Sequence, residues 1–154
     1  MRKFIFISII LILSMMTSCS KFPDIGNGYQ LDYNSMNDIS IIKCLKEGDA
    51  PTIFIYGHIL DYSFDSTFII VAERPRDSVP ECTGTMPEMT KNKCDEAFEK
   101  STFRQYWIID KRQESIFDEY KKTYSNVYGP FKKDDYLRKR EELNVPQKLV
   151  LKEE

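Results

Sequence analysis

The sequence has few of the residues from which common metal and catalytic sites are built. Its one histidine, His58, excludes zinc sites made of several histidines. Its four cysteines contain no CxxC pair, the spacing typical of structural zinc. Only six glycines are present, and Gly26 and Gly28 precede a strand pattern, so no phosphate-binding glycine loop opens a helix. We therefore predict no metal and no cofactor.

The chain has one long apolar run, and it is too short to span a bilayer. Residues 4–16 (FIFISIILILSMM) are apolar apart from two serines, whereas a membrane-spanning helix needs about 20 apolar residues. Arg2 and Lys3 precede the run, and two small residues follow it before Cys19. A basic start, an apolar centre and a small-residue cleavage site are typical of a secretory signal. We expect residues 1–18 to be removed.

The end of this signal resembles the lipobox of bacterial lipoproteins. In that family a diacylglyceryl group is attached to the cysteine thiol, and a peptidase then cuts just before the cysteine. The resemblance implies cleavage between Ser18 and Cys19 and a lipid on Cys19, with stable anchoring once two or more acyl chains are buried. Ser20, in the second mature position, implies sorting to the outer membrane. The acidic cluster of surface-displayed Bacteroidota lipoproteins is absent, so we expect the protein to face the periplasm.

Neither sign of charge is in large excess. Without residues 1–18, which contain Arg2 and Lys3, 20 of the 22 basic residues remain against 24 acidic ones, a net of −4. A mildly acidic surface lacks the basic patch that nucleic acid or an anionic lipid surface would require. We therefore expect no nucleic-acid partner, and the predicted contact with the membrane is the lipid on Cys19.

The three remaining cysteines lie in a chain predicted to be exported, where disulfides persist. Cys82 and Cys94 flank residues 83–93, and closing a ring of that size would stabilise the fold by about 3 kcal/mol. Sequence alone does not determine connectivity, so a Cys82–Cys94 disulfide and two unpaired thiols remain as alternatives. Cys44 lies among apolar residues of a predicted strand and is expected to be a small buried side chain.

Hydrophobic periodicity divides the mature chain into a tether and one domain. Breaking residues near Pro23 predict a lipidated tether at residues 19–27 and a single domain at residues 28–154. Strands are predicted at residues 28–33, 38–45, 52–64, 67–73 and 103–111, with the third and fourth strands as an antiparallel hairpin. Gly57 within the third strand predicts either a bulge or a close approach of the backbone to a neighbour. An irregular segment is expected at residues 74–90 and helices at 92–101, 113–124 and 132–143, with a chain break at Gly129-Pro130.

The order of these elements predicts an α+β domain, a mostly antiparallel sheet of about five strands packed by two or three C-terminal helices. Residues 28–31 (GYQL), 106–111 (YWIIDK) and 128–131 (YGPF) are similar to motifs of a family of small, uncharacterised bacterial lipoproteins of unknown function. The resemblance covers most of the mature chain and implies an exported domain from a bacterium of the Bacteroidota. It supplies no activity, substrate or catalytic residue.

No set of residues forms a convincing catalytic constellation, so we predict that the protein is not an enzyme. Cys44 and His58 would need an orienting acid to act as a nucleophile pair, and none occupies an informative position. Scattered carboxylates are expected to face solvent, namely Asp32, Asp61, Asp65, Asp110, Glu114 and Asp118. The neighbours Tyr106 and Trp107 point to opposite faces of a strand, which predicts that one is in the core and the other is available for binding.

Three functions remain open from the sequence. The first is a binding or interaction module held at the outer membrane by Cys19, with a protein partner in the envelope. The second is an immunity-type lipoprotein that neutralises a toxin in the periplasm, to which a small acidic domain is suited when the toxin is basic. The third is an envelope hydrolase, which would require a cleft that gathers His58 with two carboxylates.

Overall fold

The computed structural model describes residues 23–35, 38–45, 50–83 and 88–152. These residues form an α+β domain of mostly antiparallel sheets, with ten short strands in three sheets and two α-helices, one of them near the C-terminus. None of the described helices is long and apolar enough to cross a membrane. Ser18 and Cys19, the predicted cleavage and lipidation sites, lie outside the described residues.

The first sheet is formed by four consecutive antiparallel strands. They are β1 (Asp24–Gly26), β2 (Tyr29–Ser35), β3 (Asp38–Lys43) and β4 (Thr52–Ile55). Ile25 of β1 is only 2% exposed, so ordered packing begins inside the range predicted to be a tether. Ile41 and Ile42 of β3 pair with Ile55 and Ile53 of β4, which leaves Phe54 as an extra, bulged residue that packs in the core.

The second sheet has the strand order β10-β7-β6-β5, and every neighbouring pair is antiparallel. Its strands are β5 (His58–Phe64), β6 (Phe68–Arg74), β7 (Gln105–Asp110) and β10 (Val127–Phe131). The predicted hairpin between β5 and β6 is confirmed. At its turn, Asp65 accepts hydrogen bonds from the backbone N–H groups of Thr67 (2.7 Å) and Phe68 (2.9 Å).

The second sheet is buried on both faces. Ile69 and Val71 of β6 pack against the first sheet, whereas Ile70 between them packs toward the C-terminal helix, α2 (Lys133–Leu143). This is why β6 is a continuous apolar run rather than an alternating one. Tyr136 of α2 is completely buried against this face. The molecule therefore has three layers, in the order sheet, sheet, helix.

The other helix, α1 (Glu88–Lys100), is attached to the end of β6. Arg74 donates a hydrogen bond to the backbone oxygen of Phe98 (3.2 Å) and forms an ion pair with Glu99 (3.2 Å). Phe98 is 1% exposed, and its ring also lies against Arg76. The helix predicted at residues 92–101 is thus present, and it begins four residues earlier than predicted.

The Cys82–Cys94 disulfide, one of the two alternatives that the sequence left open, is present in the structure. It joins α1 to the 3-10 turn Pro80–Cys82, which lies within the segment predicted to be irregular. Cys44 is a free, exposed cysteine, and the prediction that it is buried is wrong. Because β3 ends at Lys43, Cys44 has already left the strand that would have directed its side chain inward.

The single strand predicted at residues 52–64 is two strands in different sheets. β4 ends at Ile55, β5 begins at His58, and Gly57 between them has a φ of +136°. A β-carbon on Gly57 would lie 2.5 Å from Oε1 of Glu73, so a side chain at this position would displace Glu73 and would be strained by the positive φ. Of the two predicted reasons for this glycine, the close approach is the one that the structure shows, at the point where the chain passes from one sheet to the other.

The helix predicted at residues 113–124 is wrong. These residues contain two short antiparallel strands, β8 (Phe117–Asp118) and β9 (Thr123–Tyr124). Asp118 accepts hydrogen bonds from the backbone N–H groups of Tyr120 (2.9 Å) and Lys121 (3.0 Å), which stabilise a turn in place of a helix. The spacing of apolar residues in this segment predicted one buried helix face. The residues do not share a buried face, because Tyr124 packs in the core while Tyr120 is 100% exposed.

The chain break predicted at Gly129-Pro130 is also wrong, since both residues lie within β10. β10 is at an edge of the second sheet, where a proline can be accommodated because its missing N–H need not serve a neighbouring strand. The helix predicted after it is confirmed as α2. That helix ends before Asn144, whose left-handed conformation is typical of a helix C-terminus.

Candidate functional site

Trp107, the only tryptophan, lies at the layer where the two sheets meet. It is in β7 opposite Val71 of β6, and it packs, partly buried, against the core between the sheets. Its neighbour Tyr106 points to the other face, is 4% exposed and stacks on Tyr136 with ring centres 4.9 Å apart. The structure therefore places Tyr106 in the helix-facing core and leaves Trp107 partly accessible.

Trp107 is part of a groove with a volume of about 920 Å³, here called the Trp107 groove. Its lining comprises residues 53–56, Trp107, residues 121–123, residues 127–131 and Lys139. Tyr56, just after the end of β4, is 68% exposed, and Ile53 within β4 is 45% exposed. The groove therefore presents accessible aromatic and aliphatic surface beside the single tryptophan.

The groove follows the edges of two strands. A sheet face presents alternate residues of a strand, whereas this groove is lined by consecutive residues along both β4 and β10. β4 is the last strand of the first sheet and β10 is the last strand of the second, so each has one neighbour among the described strands. The groove thus lies between two strand edges, where backbone groups as well as side chains are accessible.

The charged lining of the groove is basic. Lys121, Lys122 and Lys139 line it, and no carboxylate of the described residues does. Lys121 and Lys139 have acidic neighbours outside the groove, Asp118 at 3.6 Å and Glu142 at 2.7 Å. The exposed pair of Lys121 with Asp118 is weak, so Lys121 and the exposed Lys122 are available to an anionic ligand. The side chain of Lys139 is only 20% exposed and also lies over the ring of Tyr128, so it is less available.

A smaller cleft of about 480 Å³, here called the Glu73 cleft, adjoins the groove and shares Tyr56, Trp107 and Pro130 with it. Glu73 ends the buried part of β6 and is 5% exposed. Its Oε2 accepts a hydrogen bond from Nε1 of Trp107 at 2.5 Å. The indole of Trp107 therefore contacts the groove with its ring and the cleft with its N–H group.

The environment of Glu73 favours its neutral form. Burial raises the pKa of Glu73 to about 7, the hydrogen bond from Trp107 opposes this shift, and the charge of Asp77 adds to it. A carboxyl group with this pKa changes its protonation near neutral pH, where an ordinary glutamate is fully ionised. Glu73 is thus a titratable hydrogen-bonding group at the junction of the two cavities.

Gly129 allows β10 to approach Trp107 closely. With a φ of +135° it has a conformation that favours glycine, and a β-carbon there would lie 2.7 Å from Cε3 of Trp107 and 2.8 Å from the backbone oxygen of Tyr106. The shape of this groove wall therefore depends on the absence of a side chain at position 129. The YGPF motif at residues 128–131 is a part of the groove.

Other residues singled out from the sequence lie elsewhere. His58 lies in the second sheet and packs against Phe98, with ring centres 4.4 Å apart and the rings tilted by 60°. Cys44 is exposed beyond the end of β3 in the first sheet. None of the six carboxylates named from the sequence lines the groove or the cleft. Within the described part of the chain, no group of three or more histidine, cysteine, aspartate or glutamate residues could hold a metal ion.

Asp110 is buried, so the expectation that all six of these carboxylates face solvent is wrong for this residue. It is 1% exposed and accepts hydrogen bonds from the backbone N–H group (3.0 Å) and the guanidinium group (2.8 and 2.9 Å) of Arg112. Burial acts to raise the pKa of Asp110, but the hydrogen bonds from Arg112 outweigh it and hold the pKa below its usual value. Asp110 therefore stays ionised and stabilises the turn after β7.

Glu73 and Tyr56 are site residues that sequence reasoning missed. Glu73 did carry a signal, because an acid at the end of the apolar run FIIVAE of residues 68–73 must be satisfied if the run is buried. No such signal pointed to Tyr56, because it was predicted to lie inside a long strand that the structure divides at Gly57. Its exposure follows from its position after the end of β4.

Residues 26–154 match the model of a family described as a protein of unknown function, DUF3997. The chain belongs to this family. The DUF3997 match includes every lining residue of the Trp107 groove and the Glu73 cleft. Among curated proteins and among solved structures, no match is found. Membership of DUF3997 bears out the expectation of an uncharacterised family, while lipidation and bacterial origin stay predictions.

Proposed function

We propose that this DUF3997 protein is an exported, lipid-anchored envelope protein that binds a ligand in the Trp107 groove and catalyses no reaction. The observation that supports this proposal most directly is the groove itself. An exposed tyrosine, a partly buried tryptophan and three lysines converge on a cavity of about 920 Å³. Aromatic residues are frequent anchors of binding sites because they bury a large area with few rotatable bonds.

The proposed anchor would hold the domain at the membrane. Only residues 20–23 separate Cys19, the proposed lipidation site, from β1, which begins at Asp24. Five residue steps span at most about 18 Å of extended chain, so the start of β1 would lie within that distance of the bilayer surface. β4, which lines the groove, is at the opposite edge of the same sheet, so the groove would be farther from the anchor than β1 is. A ligand of the groove would therefore be an envelope component within reach of an anchored domain.

An immunity role is the alternative, and the groove does not favour it. That role was suggested by the acidic balance of the mature chain, which suits a basic toxin. The groove is lined by lysines rather than by carboxylates, so its local charge would repel such a partner. A hydrolase role required a cleft containing His58, and His58 does not line the Glu73 cleft.

The proposal is tested by affinity capture with the tagged full-length protein from detergent-solubilised envelope extracts. Tyr56→Ala removes an exposed groove side chain, and Tyr120→Ala is the matched control because Tyr120 is fully exposed and does not line the groove. We expect the wild type and Tyr120→Ala to retain the same component, and Tyr56→Ala to retain about tenfold less of it, as for a binding anchor. Equal recovery by all three proteins would contradict the proposal.

A further inference from the structure

We propose that the ligand of the Trp107 groove is an extended acidic peptide segment that pairs with β4 as an additional strand of the first sheet. This inference rests on the proposed function, because it names the ligand class of the same groove. It depends on three independent features of the groove, namely an available strand edge, accessible apolar side chains beside that edge and a basic lining.

The first feature is the outer edge of β4. Among the described strands, β3 is the one that pairs with β4, so the opposite edge of β4 presents its backbone groups to the groove. An extended peptide can satisfy such groups with main-chain hydrogen bonds. Charged residues and proline discourage pairing at a sheet edge, and β4 contains neither. Its four residues span about 13 Å.

β10 on the other side of the groove is a poorer template. Pro130 has no backbone N–H group, so β10 lacks one of the donors that an added strand would use. Both strands have a register irregularity, β4 at Phe54 and β10 between Tyr128 and Phe131, so the missing donor is the feature that distinguishes them. An incoming segment would therefore pair with β4 and use β10 as a wall.

The second feature is the apolar surface beside this edge. Ile53 and Tyr56 are 45% and 68% exposed at the two ends of the β4 wall, and Trp107 lies between the walls. Side chains of an added strand alternate between two sides, so one row would cover these apolar groups. The other row would face the charged rim of the groove.

The third feature is the charge of that rim. Lys121, Lys122 and Lys139 surround the groove without any carboxylate in its lining, although the mature chain as a whole is acidic. A peptide with glutamate or aspartate at alternate positions would complement them. An acidic glycan would match the lysines and the aromatic rings equally well, but it would leave the backbone edge of β4 without hydrogen-bond partners.

The test uses the full-length protein and an end-blocked octapeptide of alternating valine and glutamate. One control peptide has lysine in place of glutamate, and a second carries N-methyl groups on alternate residues, which block hydrogen bonding along one edge. Binding is followed by the fluorescence of Trp107, the single tryptophan. We expect both controls to bind at least about tenfold more weakly than the acidic peptide.

The position of the peptide is tested by hydrogen exchange. We expect the backbone amides of residues 52–56 to exchange several-fold more slowly when the acidic peptide is bound. Residues 58–64 of β5, at the far edge of the second sheet, are the internal control and should not change. Absence of binding, equal binding of the N-methylated peptide, or protection at β5 instead of β4 would each overturn the inference.

The charge requirement is tested by the double variant Lys121→Gln/Lys122→Asn. Asparagine tolerates the left-handed conformation of residue 122, whose φ is +54°. The control is Lys91→Gln/Lys93→Gln, which removes two exposed lysines of α1 outside the groove. We expect the groove variant to weaken binding of the acidic peptide about tenfold and the α1 variant to leave it unchanged. If both variants bound the acidic peptide with equal affinity, the claim that the basic rim determines binding would be overturned.

Failure of this inference can be distinguished from failure of the proposed function. If capture from envelope extracts depends on Tyr56 but survives prior digestion of the extract with protease, the ligand is not a peptide, and a glycan occupies the groove. In that case the peptide inference is overturned while the binding function stands. Capture that is independent of Tyr56 would overturn both.

Discussion

At the scale of single residues, Glu73 has the least expected environment in the described domain. It ends an apolar strand, is almost completely buried and contacts the indole of Trp107. Transfer of a carboxylate out of water favours the protonated form, which accounts for the direction of its pKa shift. Because the N–H group of Trp107 contacts Glu73, the fluorescence of Trp107 can report the protonation state of Glu73.

We predict that Glu73 makes the protein less stable as the pH rises. Its pKa is about 7 in the folded state and about 4.5 when unperturbed, so between these values the folded state binds a proton that the unfolded state has released. The free energy of unfolding should therefore fall by about 3 kcal/mol more in the wild type than in Glu73→Gln between pH 4 and pH 8. Denaturant unfolding at each pH measures this difference.

The same variant has a spectroscopic control. In the wild type, the emission of Trp107 should shift with a midpoint near pH 7 as Glu73 ionises beside its N–H group. Glu73→Gln retains an oxygen that accepts this hydrogen bond but does not titrate, so the transition should disappear. A transition of equal size in Glu73→Gln would show that another group is responsible.

At the scale of secondary-structure elements, the disulfide joins two elements that follow β6. Cys82 and Cys94 are 12 residues apart in sequence, and the bridge connects the 3-10 turn Pro80–Cys82 to the middle of α1. Arg76, which precedes that turn, also contacts α1, through Asp95 and the ring of Phe98. The covalent bond and these contacts therefore hold the same two elements together.

We predict that Cys82→Ala/Cys94→Ala lowers the free energy of unfolding by about 3 kcal/mol, because the unfolded chain regains the entropy of an open loop of this length. Cys44→Ser is the matched control and should change it by less than about 0.5 kcal/mol, since Cys44 is exposed. Thermal or denaturant unfolding measures both. Complete alkylation of Cys82 and Cys94 in the unreduced, denatured protein would contradict the pairing.

At the scale of the whole molecule, three layers and a lipid anchor would act together. The second sheet is covered by the first sheet on one face and by α2 on the other, so the groove is built on a rigid centre. Its walls come from elements far apart in sequence, β4 and β10. The packing of the two sheets therefore brings the walls of the groove together.

We predict that Cys19→Ala abolishes lipidation and yields an uncleaved precursor or a soluble protein. The reason is that the thiol of Cys19 is the proposed site of attachment, and the acyl chains supply the membrane affinity. Labelling with a radioactive fatty acid and fractionation of cells measure the result. Ser20→Ala, next to the lipidation site, is the control and should remain labelled. Unchanged labelling of Cys19→Ala would reject the lipoprotein hypothesis.

Local patterns in the sequence were sufficient for several elements. The β5–β6 hairpin was predicted because two runs rich in Ile, Phe and Tyr flank a short turn, and α2 was predicted because charges of both signs recur at the spacing of a helix. Residues 113–124 were not, because Asp118 forms a turn where the spacing of apolar residues indicated a helix. The opposite faces of Tyr106 and Trp107 were predictable from strand geometry, whereas Tyr56 and Glu73 were not recognised as site residues.

The sequence by itself determined the α+β class, the predicted export signal and the absence of a many-histidine metal site, because these depend on composition and short-range order. Tertiary structure alone decided that Gly57 separates two sheets, that Gly129 makes room for Trp107 and that Cys82 pairs with Cys94. Each of these depends on atoms that are distant along the chain. The groove could not be read from the sequence for the same reason, since its walls become neighbours only when the two sheets pack together.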